Sequence, residues 1–151
     1  KQEKRQIPTQ LEDFSAPTIN TYSLETTIAE KIDAILSLME FSSRMKDYYD
    51  IYYLANKFDF DGATLTEALR KTFKNRGHAF TVEQFEQVMA FDGEEAMQKK
   101  WKAFCRKIDT KTDNYGTVLK TISDFLAKPF SAAISSNNFS AKWHIDVCLW
   151  K

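Results

Sequence analysis

Apolar residues recur at helical spacing along most of the chain. The clearest series follows Ser23, where apolar residues three and four positions apart continue to about Glu40. Its members are Ile28, Ala29, Ile32, Ile35, Leu36 and Met39. Ser23 is a favourable N-cap and Glu25 places a carboxylate in the first turn, so the pattern predicts a helix from Ser23 to about Glu40.

The next segment predicts a second helix from Arg44 to about Lys57, with Ser43 as its N-cap. Aromatic and aliphatic residues cover most of its circumference, and Asp47 and Asp50 lie among them. A helix that is apolar nearly all round is normally enclosed by protein. Both aspartates are therefore expected to lie among packed side chains.

Capping signals predict two shorter helices downstream. Thr64 to Glu67 and Thr81 to Gln84 both have the capping-box pattern, and each precedes a series of apolar residues. Gly77 is suited to end the first of these helices. They are the predicted third and fourth helices.

A fifth helix is predicted to begin at Glu94 and Glu95, and a sixth to run from about Asn114 to Ala127, where Pro129 ends it. One face of the fifth helix is apolar, and lysines and an arginine lie off that face. The apolar residues are Met97, Trp101, Phe104 and Ile108. We interpret Trp101 as a core residue.

These elements predict a mainly α fold, a bundle of about six helices. Gly 4 and Pro 3 are too few for a sandwich or barrel of short strands. Residues 1–22 are predicted to form an extended arm, residues 23–128 the helical domain, and residues 129–151 a C-terminal cover that is irregular or contains short strands.

Charge and composition narrow the function classes. Lys+Arg 21 balances Asp+Glu 21, so any contact with nucleic acid has to be local. The local basic stretches are residues 75–78 and 99–107, for which a solvated helix face and an RNA-backbone footprint are both open. There is no apolar run long enough to span a bilayer, so no membrane partner is expected. Cys105 and Cys148 have no metal or redox spacing, which favours free thiols in the cytoplasm.

Asp47 and Asp50 are the candidates for chemistry. They are three residues apart and share a helix face, and Lys31 on the first helix is placed at the edge of the apolar face. A buried carboxylate needs a cation, a metal or several donors. Two interpretations follow: a structural ion pair between two helices, or a cleft in which Lys31 binds phosphate and a carboxylate orients the reacting groups.

Other polar groups are weaker candidates. Asp59-Phe60-Asp61 precedes Gly62 and is interpreted as a turn that caps a helix, not as a metal site. His78 and His144 have no partner at metal-ligand spacing, so no metal site is predicted in the chain.

Two segments together resemble the C-terminal half of the AbiEii/AbiGii family of nucleotidyltransferase toxins. They are Tyr22 to Ala34, which contains Ala-Glu-Lys, and Arg44 to Leu54, which contains a basic residue, Asp, two residues and Asp. The resemblance covers roughly residues 20–130.

The resemblance implies a polymerase-β-like nucleotidyltransferase that acts as the toxin of a type IV toxin–antitoxin or abortive-infection system. Lys31, Asp47 and Asp50 would be catalytic, with Lys31 also binding the nucleotide. The substrates would be a nucleoside triphosphate and an acceptor such as tRNA, Mg²⁺ would be the cofactor of the full-length enzyme, and an antitoxin protein would be a partner.

Such an enzyme also needs a Gly-Ser loop for the triphosphate and an Asp-x-Asp on a strand for Mg²⁺, and neither precedes Tyr22. We therefore expect the chain to be the C-terminal helical portion, with residues 1–22 as the end of an absent catalytic domain, and to be inactive and free of cofactor by itself. The alternative is a stand-alone helical module that binds another protein without catalysis.

Overall fold

A computed structural model describes residues 23–108 and 113–151. The mainly α class is confirmed, and the predicted arm over residues 1–22 lies outside the described residues. The helices are α1 (Leu24–Leu38), α2 (Met45–Ala55), α3 (Gly62–Arg76), α4 (Val82–Met89), α5 (Glu95–Ile108) and α6 (Tyr115–Ile134), with 3-10 turns at Met39–Phe41 and Phe91–Gly93. The strands are β1 (Phe60–Asp61), β2 (Lys142–His144) and β3 (Leu149–Trp150).

The core forms around α6, which packs against α2, α3 and α4, while α1 packs against α2 and α3. Apolar residues repeat along α6 every three or four positions and are buried. They include Val118, Leu119, Ile122, Phe125, Leu126 and Phe130. Every residue of α2 is buried or half-buried, which confirms the prediction of an enclosed helix.

Several helix ends follow the local signals in the sequence. Ser23, Thr81 and Asn114 accept hydrogen bonds from backbone N–H groups of their own first turns, and Thr81 forms the predicted capping box with Gln84. Gly77 ends α3 in the left-handed conformation at φ 69°.

Two predicted caps are wrong. The side chain of Ser43 does not cap α2; instead the Ser42 hydroxyl accepts from the Arg44 N–H at 3.0 Å. The start of α3 lies at Gly62, because the Asp61 carboxylate caps it through the Thr64 N–H at 3.0 Å. The Thr64 capping box is therefore inside the helix rather than at its start.

The prediction that Pro129 ends the last helix is also wrong, since α6 continues to Ile134 with Pro129 inside it. A proline has no N–H for the carbonyl four residues earlier, here that of Phe125. The indole N–H of Trp150 donates to the Phe125 carbonyl at 2.9 Å. A proline inside a helix costs a backbone hydrogen bond and brings its ring against the carbonyl four residues earlier. The tertiary hydrogen bond from Trp150 replaces the lost hydrogen bond.

The C-terminal end confirms the prediction of short strands. β2 pairs antiparallel with β1 and β3, with Trp143 opposite both Phe60 and Trp150. Trp143 is fully buried, and its indole N–H donates to the Ala55 carbonyl at 2.7 Å, so the sheet is anchored to the end of α2. The division at residues 128 and 129 stays a prediction, although α6 runs through it.

None of the helices in the described ranges has both the length and the apolar character needed to cross a membrane.

Candidate functional site

The packing of α1 against α2 brings the three predicted site residues together. The Nζ of Lys31 lies 3.0 Å from Oδ2 of Asp50 and 3.5 Å from Oδ1 of Asp47. The carboxylates are almost completely buried, with side chains 3% exposed at Asp47 and 0% at Asp50, whereas Lys31 is 13% exposed. Lys31 is therefore the most exposed of the three residues.

Two further cations reach the same carboxylates from the first turn of α2 and the residue before it. Lys46 donates to Asp50 at 3.1 and 3.3 Å. Arg44 Nε lies 2.9 Å from Oδ2 of Asp47 but is not aligned for a hydrogen bond, so this contact is an ion pair only. The network of Lys31, Arg44, Lys46, Asp47 and Asp50 thus combines three cations with two anions.

Burial and charge act in opposite directions on Asp47. Burial raises the pKa of Asp47 above its ordinary value and is the largest effect, while the charges of Lys31 and Arg44 lower the pKa and Asp50 raises it again. The nearby cations therefore compensate for only part of the cost of desolvating this carboxylate.

A cleft of about 360 Å³ opens beside this network, lined by Thr26, Thr27, Glu30, Lys31, Ala34, Arg44 and Arg76. Its cations come from three places: α1, the start of α2 and the end of α3. Arg76 is ion-paired with Glu30 across the cleft. The Thr26 and Thr27 hydroxyls belong to the first turn of α1, which is the positive end of the helix dipole.

Asp47 and Asp50 do not line this cleft; they lie beneath Lys31. The Lys31 ammonium, the Arg44 guanidinium and the Thr26 hydroxyl are donors suited to an anionic oxygen group such as phosphate, whereas the Thr27 hydroxyl already donates to the Ser23 carbonyl. The buried aspartates contact the ammonium and do not line the cleft.

The same burial argues against a Mg²⁺ ion on Asp47 and Asp50. Each carboxylate already contacts two cationic side chains, and Mg²⁺ requires octahedral oxygen ligands and usually keeps several waters. Across residues 23–108 and 113–151, no cluster of three or more His, Cys, Asp or Glu side chains is arranged to hold a metal ion.

The remaining candidates have structural contacts. Asp61 caps α3, as the interpretation of Asp59-Phe60-Asp61 expected, but Phe60 and Asp61 form strand β1 rather than a turn, and Asp59 accepts from the Ile145 N–H at 3.0 Å instead of capping a helix. Trp101 is 3% exposed and belongs to the core, as predicted. His78 lies 2.9 Å from the buried carboxylate of Asp33.

Sequence analysis did not identify Thr26, Thr27 or Glu30 as part of the site, and it assigned Arg76 to a separate basic stretch. The threonines follow an N-cap and look like ordinary first-turn residues. Arg76 lies 45 positions after Lys31 in the sequence and reaches the cleft only because α3 packs along α1.

Comparison with known proteins identifies the family. Residues 1–134 match the family model described as nucleotidyl transferase AbiEii toxin, Type IV TA system. No curated protein and no solved structure gives a significant match. Since the match covers most of the chain and includes the whole α1–α2 site, the chain belongs to the AbiEii family of nucleotidyl transferase toxins of type IV toxin–antitoxin systems.

Proposed function

We propose that this chain contributes Lys31, Asp47 and Asp50 to a site that transfers a nucleotide from a nucleoside triphosphate to an acceptor such as tRNA. The observation that carries the proposal is the Lys31 ammonium, which is held 3.0 and 3.5 Å from two buried aspartates at the wall of a cationic cleft. Family membership supplies the reaction class.

Lys31 is the group proposed to contact phosphate. Phosphoryl and nucleotidyl transfer develop negative charge on phosphate oxygens, and a fixed ammonium stabilises that charge with little reorganisation. Asp47 and Asp50 are proposed as positioning residues, because their carboxylates act on the substrate through the lysine. Arg44 adds positive charge at the same cleft, where Arg76 is ion-paired with Glu30.

The sequence has no Gly-Ser pair, and its one Asp-x-Asp includes the cap of α3. We therefore propose that the triphosphate loop and the carboxylates for Mg²⁺ are supplied by polypeptide other than this chain, and that the chain alone does not catalyse transfer. A type IV system pairs a toxin with an antitoxin protein, and we propose an antitoxin as a partner of this protein. We propose that the reaction takes place in the cytoplasm.

The test is incorporation of labelled nucleotide into a tRNA pool by the protein that combines this chain with the Gly-Ser loop and the strand-borne Asp-x-Asp. Lys31→Ala is expected to lower transfer per folded molecule by roughly 100- to 1,000-fold. Lys120→Ala is the control, because Lys120 lies on α6, is 77% exposed and pairs only with Asp124.

Transfer by Lys31→Ala at the wild-type rate would remove this residue from the site. Absence of labelled product with each nucleoside triphosphate, from folded wild-type protein, would reject nucleotidyl transfer and favour a helical module that binds another protein.

A further inference from the structure

The turn between α1 and α2 exposes a large aromatic side chain. Phe41 is 83% exposed, the highest value among the large apolar residues of the described chain. It ends the 3-10 turn Met39–Phe41, which begins with Met39 at the unusual φ of 52°. The backbone therefore leads Phe41 away from the core while Met39 stays packed against it.

Lys100 on α5 holds this turn in place. Its ammonium donates to the carbonyl of Glu40 and to the carbonyl of Ser42, both at 2.9 Å. The two carbonyls flank Phe41 on either side. The backbone on both sides of Phe41 is therefore held by hydrogen bonds, while the Phe41 ring is exposed.

The outer face of α5 is basic. Met97 and Trp101 bury the opposite face, and the exposed cations follow one another over the last three turns. They are Lys99, Lys102, Arg106 and Lys107. The only acidic residue of α5, Glu95, is in the first turn, 3.9 Å from Lys99, and Asp92 and Asp113 line a cavity together with Lys102 and Arg106.

The Phe41 turn lies between α5 and the cleft at Lys31. Lys100 contacts Ser42, the Ser42 hydroxyl accepts from the Arg44 N–H, and the Arg44 side chain lines the cleft. The order in space is therefore α5, which meets the turn at Lys100, the Phe41 turn, and then the cleft with Lys31.

We propose that Phe41 and the basic face of α5 bind the single-stranded end of a nucleic acid and direct it into the Lys31 cleft. Lysines and arginine contact the phosphates, and one base stacks on Phe41. Proteins that bind single strands combine a basic track with aromatic platforms in this way. The assignment rests on the proposed function, since it identifies the polymer as the acceptor.

The test is fluorescence anisotropy of a labelled single-stranded RNA oligonucleotide titrated with the 151-residue chain. Phe41→Ala is expected to weaken binding roughly five- to 100-fold through lost stacking. Lys102→Ala and Arg106→Ala are each expected to weaken binding and to lower the slope of log K against log salt by about 0.7. Circular dichroism checks the fold of each variant.

Two matched variants serve as controls. Leu149→Ala removes an apolar side chain that is 54% exposed on β3, and Lys120→Ala removes an exposed cation on α6. Both are expected to bind the oligonucleotide like the wild type. A polyglutamate peptide should compete weakly, because it offers charge but no bases.

The proposal is overturned if Phe41→Ala binds like the wild type, if the controls lose as much affinity as the α5 variants, or if polyglutamate competes as well as RNA. Lys31→Ala separates this proposal from the proposed function. It should lose transfer while losing less oligonucleotide affinity than Phe41→Ala, whereas wild-type transfer by Lys31→Ala with binding lost in Phe41→Ala would reject the catalytic role alone.

Discussion

Helix α1 contributes to two networks around buried aspartates, and they differ in what surrounds the carboxylates. On one side Lys31 meets Asp47 and Asp50, and within the described part of the chain Arg44 and Lys46 contact the same two carboxylates. On the other side Asp33 of α1, which is 1% exposed, contacts one imidazole and one hydroxyl among the described residues.

The Asp33 network connects α1 with the end of α3. His78 follows Gly77 at the end of α3, and its backbone N–H donates to the Phe73 carbonyl at 2.9 Å. Its ring lies 2.9 Å from Asp33, and the Ser37 hydroxyl lies 3.4 Å from the same carboxylate. These contacts connect the end of α3 to α1.

A buried aspartate is therefore not a sign of function by itself. What distinguishes the Lys31 network, among the described residues, is that Lys31 and Arg44 also line a cleft together with threonine hydroxyls and the Arg76–Glu30 ion pair. The comparison predicts that substitutions in the Lys31 network lower both nucleotide transfer and stability, whereas substitutions in the Asp33 network lower stability alone.

The largest loss of stability is expected for Lys31→Ala. Removing one partner of a buried pair leaves an uncompensated charge and costs about 3–5 kcal/mol, and we expect about 3 because Arg44 and Lys46 still neutralise the aspartates. Urea unfolding measures the loss. A loss below about 1 kcal/mol, typical of an exposed pair, would contradict the buried network.

A smaller loss is expected for His78→Ala. Asp33 keeps the Ser37 hydroxyl, and the imidazole is 35% exposed, so water can replace part of its contact. The expected cost is about 1 kcal/mol, at the low end for an unsatisfied buried group. The same unfolding experiment applies, and a loss equal to that of Lys31→Ala would remove the distinction between the two networks.

The smallest effect is a pH dependence at Asp47. Burial raises the pKa of Asp47 above 3.8, so the folded state holds this proton more tightly than the unfolded state does. The contribution of Asp47 to stability is therefore greatest at or below its unfolded pKa and falls as pH rises through the folded pKa, by at most about 1.4 kcal/mol per pH unit.

Comparison of the wild type with Asp47→Asn isolates this effect, since Asn does not titrate. Unfolding free energies measured at increasing pH from 3.8 should show the wild type losing stability relative to the variant. A difference that grows in favour of the wild type with pH would mean that Lys31 and Arg44 outweigh burial.

Local signals predicted most of the fold. The caps at Ser23 and Thr81 and the stop at Gly77 depend on a few neighbouring residues, so the sequence contains the whole cause. The continuation of α6 through Pro129 could not be predicted in this way, because the donor to the free Phe125 carbonyl is Trp150, from a distant strand.

The site, like the fold, was predictable where it depends on spacing within a helix. Helical spacing placed Lys31, Asp47 and Asp50 on facing surfaces, and the structure brings them within ion-pair distance. The apolar circumference of α2 also predicted the burial of both aspartates. Their exclusion from the cleft and the presence of Arg76 in its lining depend on how helices cross, which residue spacing does not encode.

The central claim is that Asp50 acts on the substrate through Lys31, and a double-mutant cycle in nucleotide transfer tests it most directly. Transfer per folded molecule is measured for Lys31→Ala, Asp50→Asn and the double variant. We expect each single variant to lose activity, with Lys31→Ala losing on the order of 100-fold, and the double variant to lose no more than Lys31→Ala alone. Losses that multiply in the double variant would show that Asp50 acts independently of Lys31 and would contradict the account.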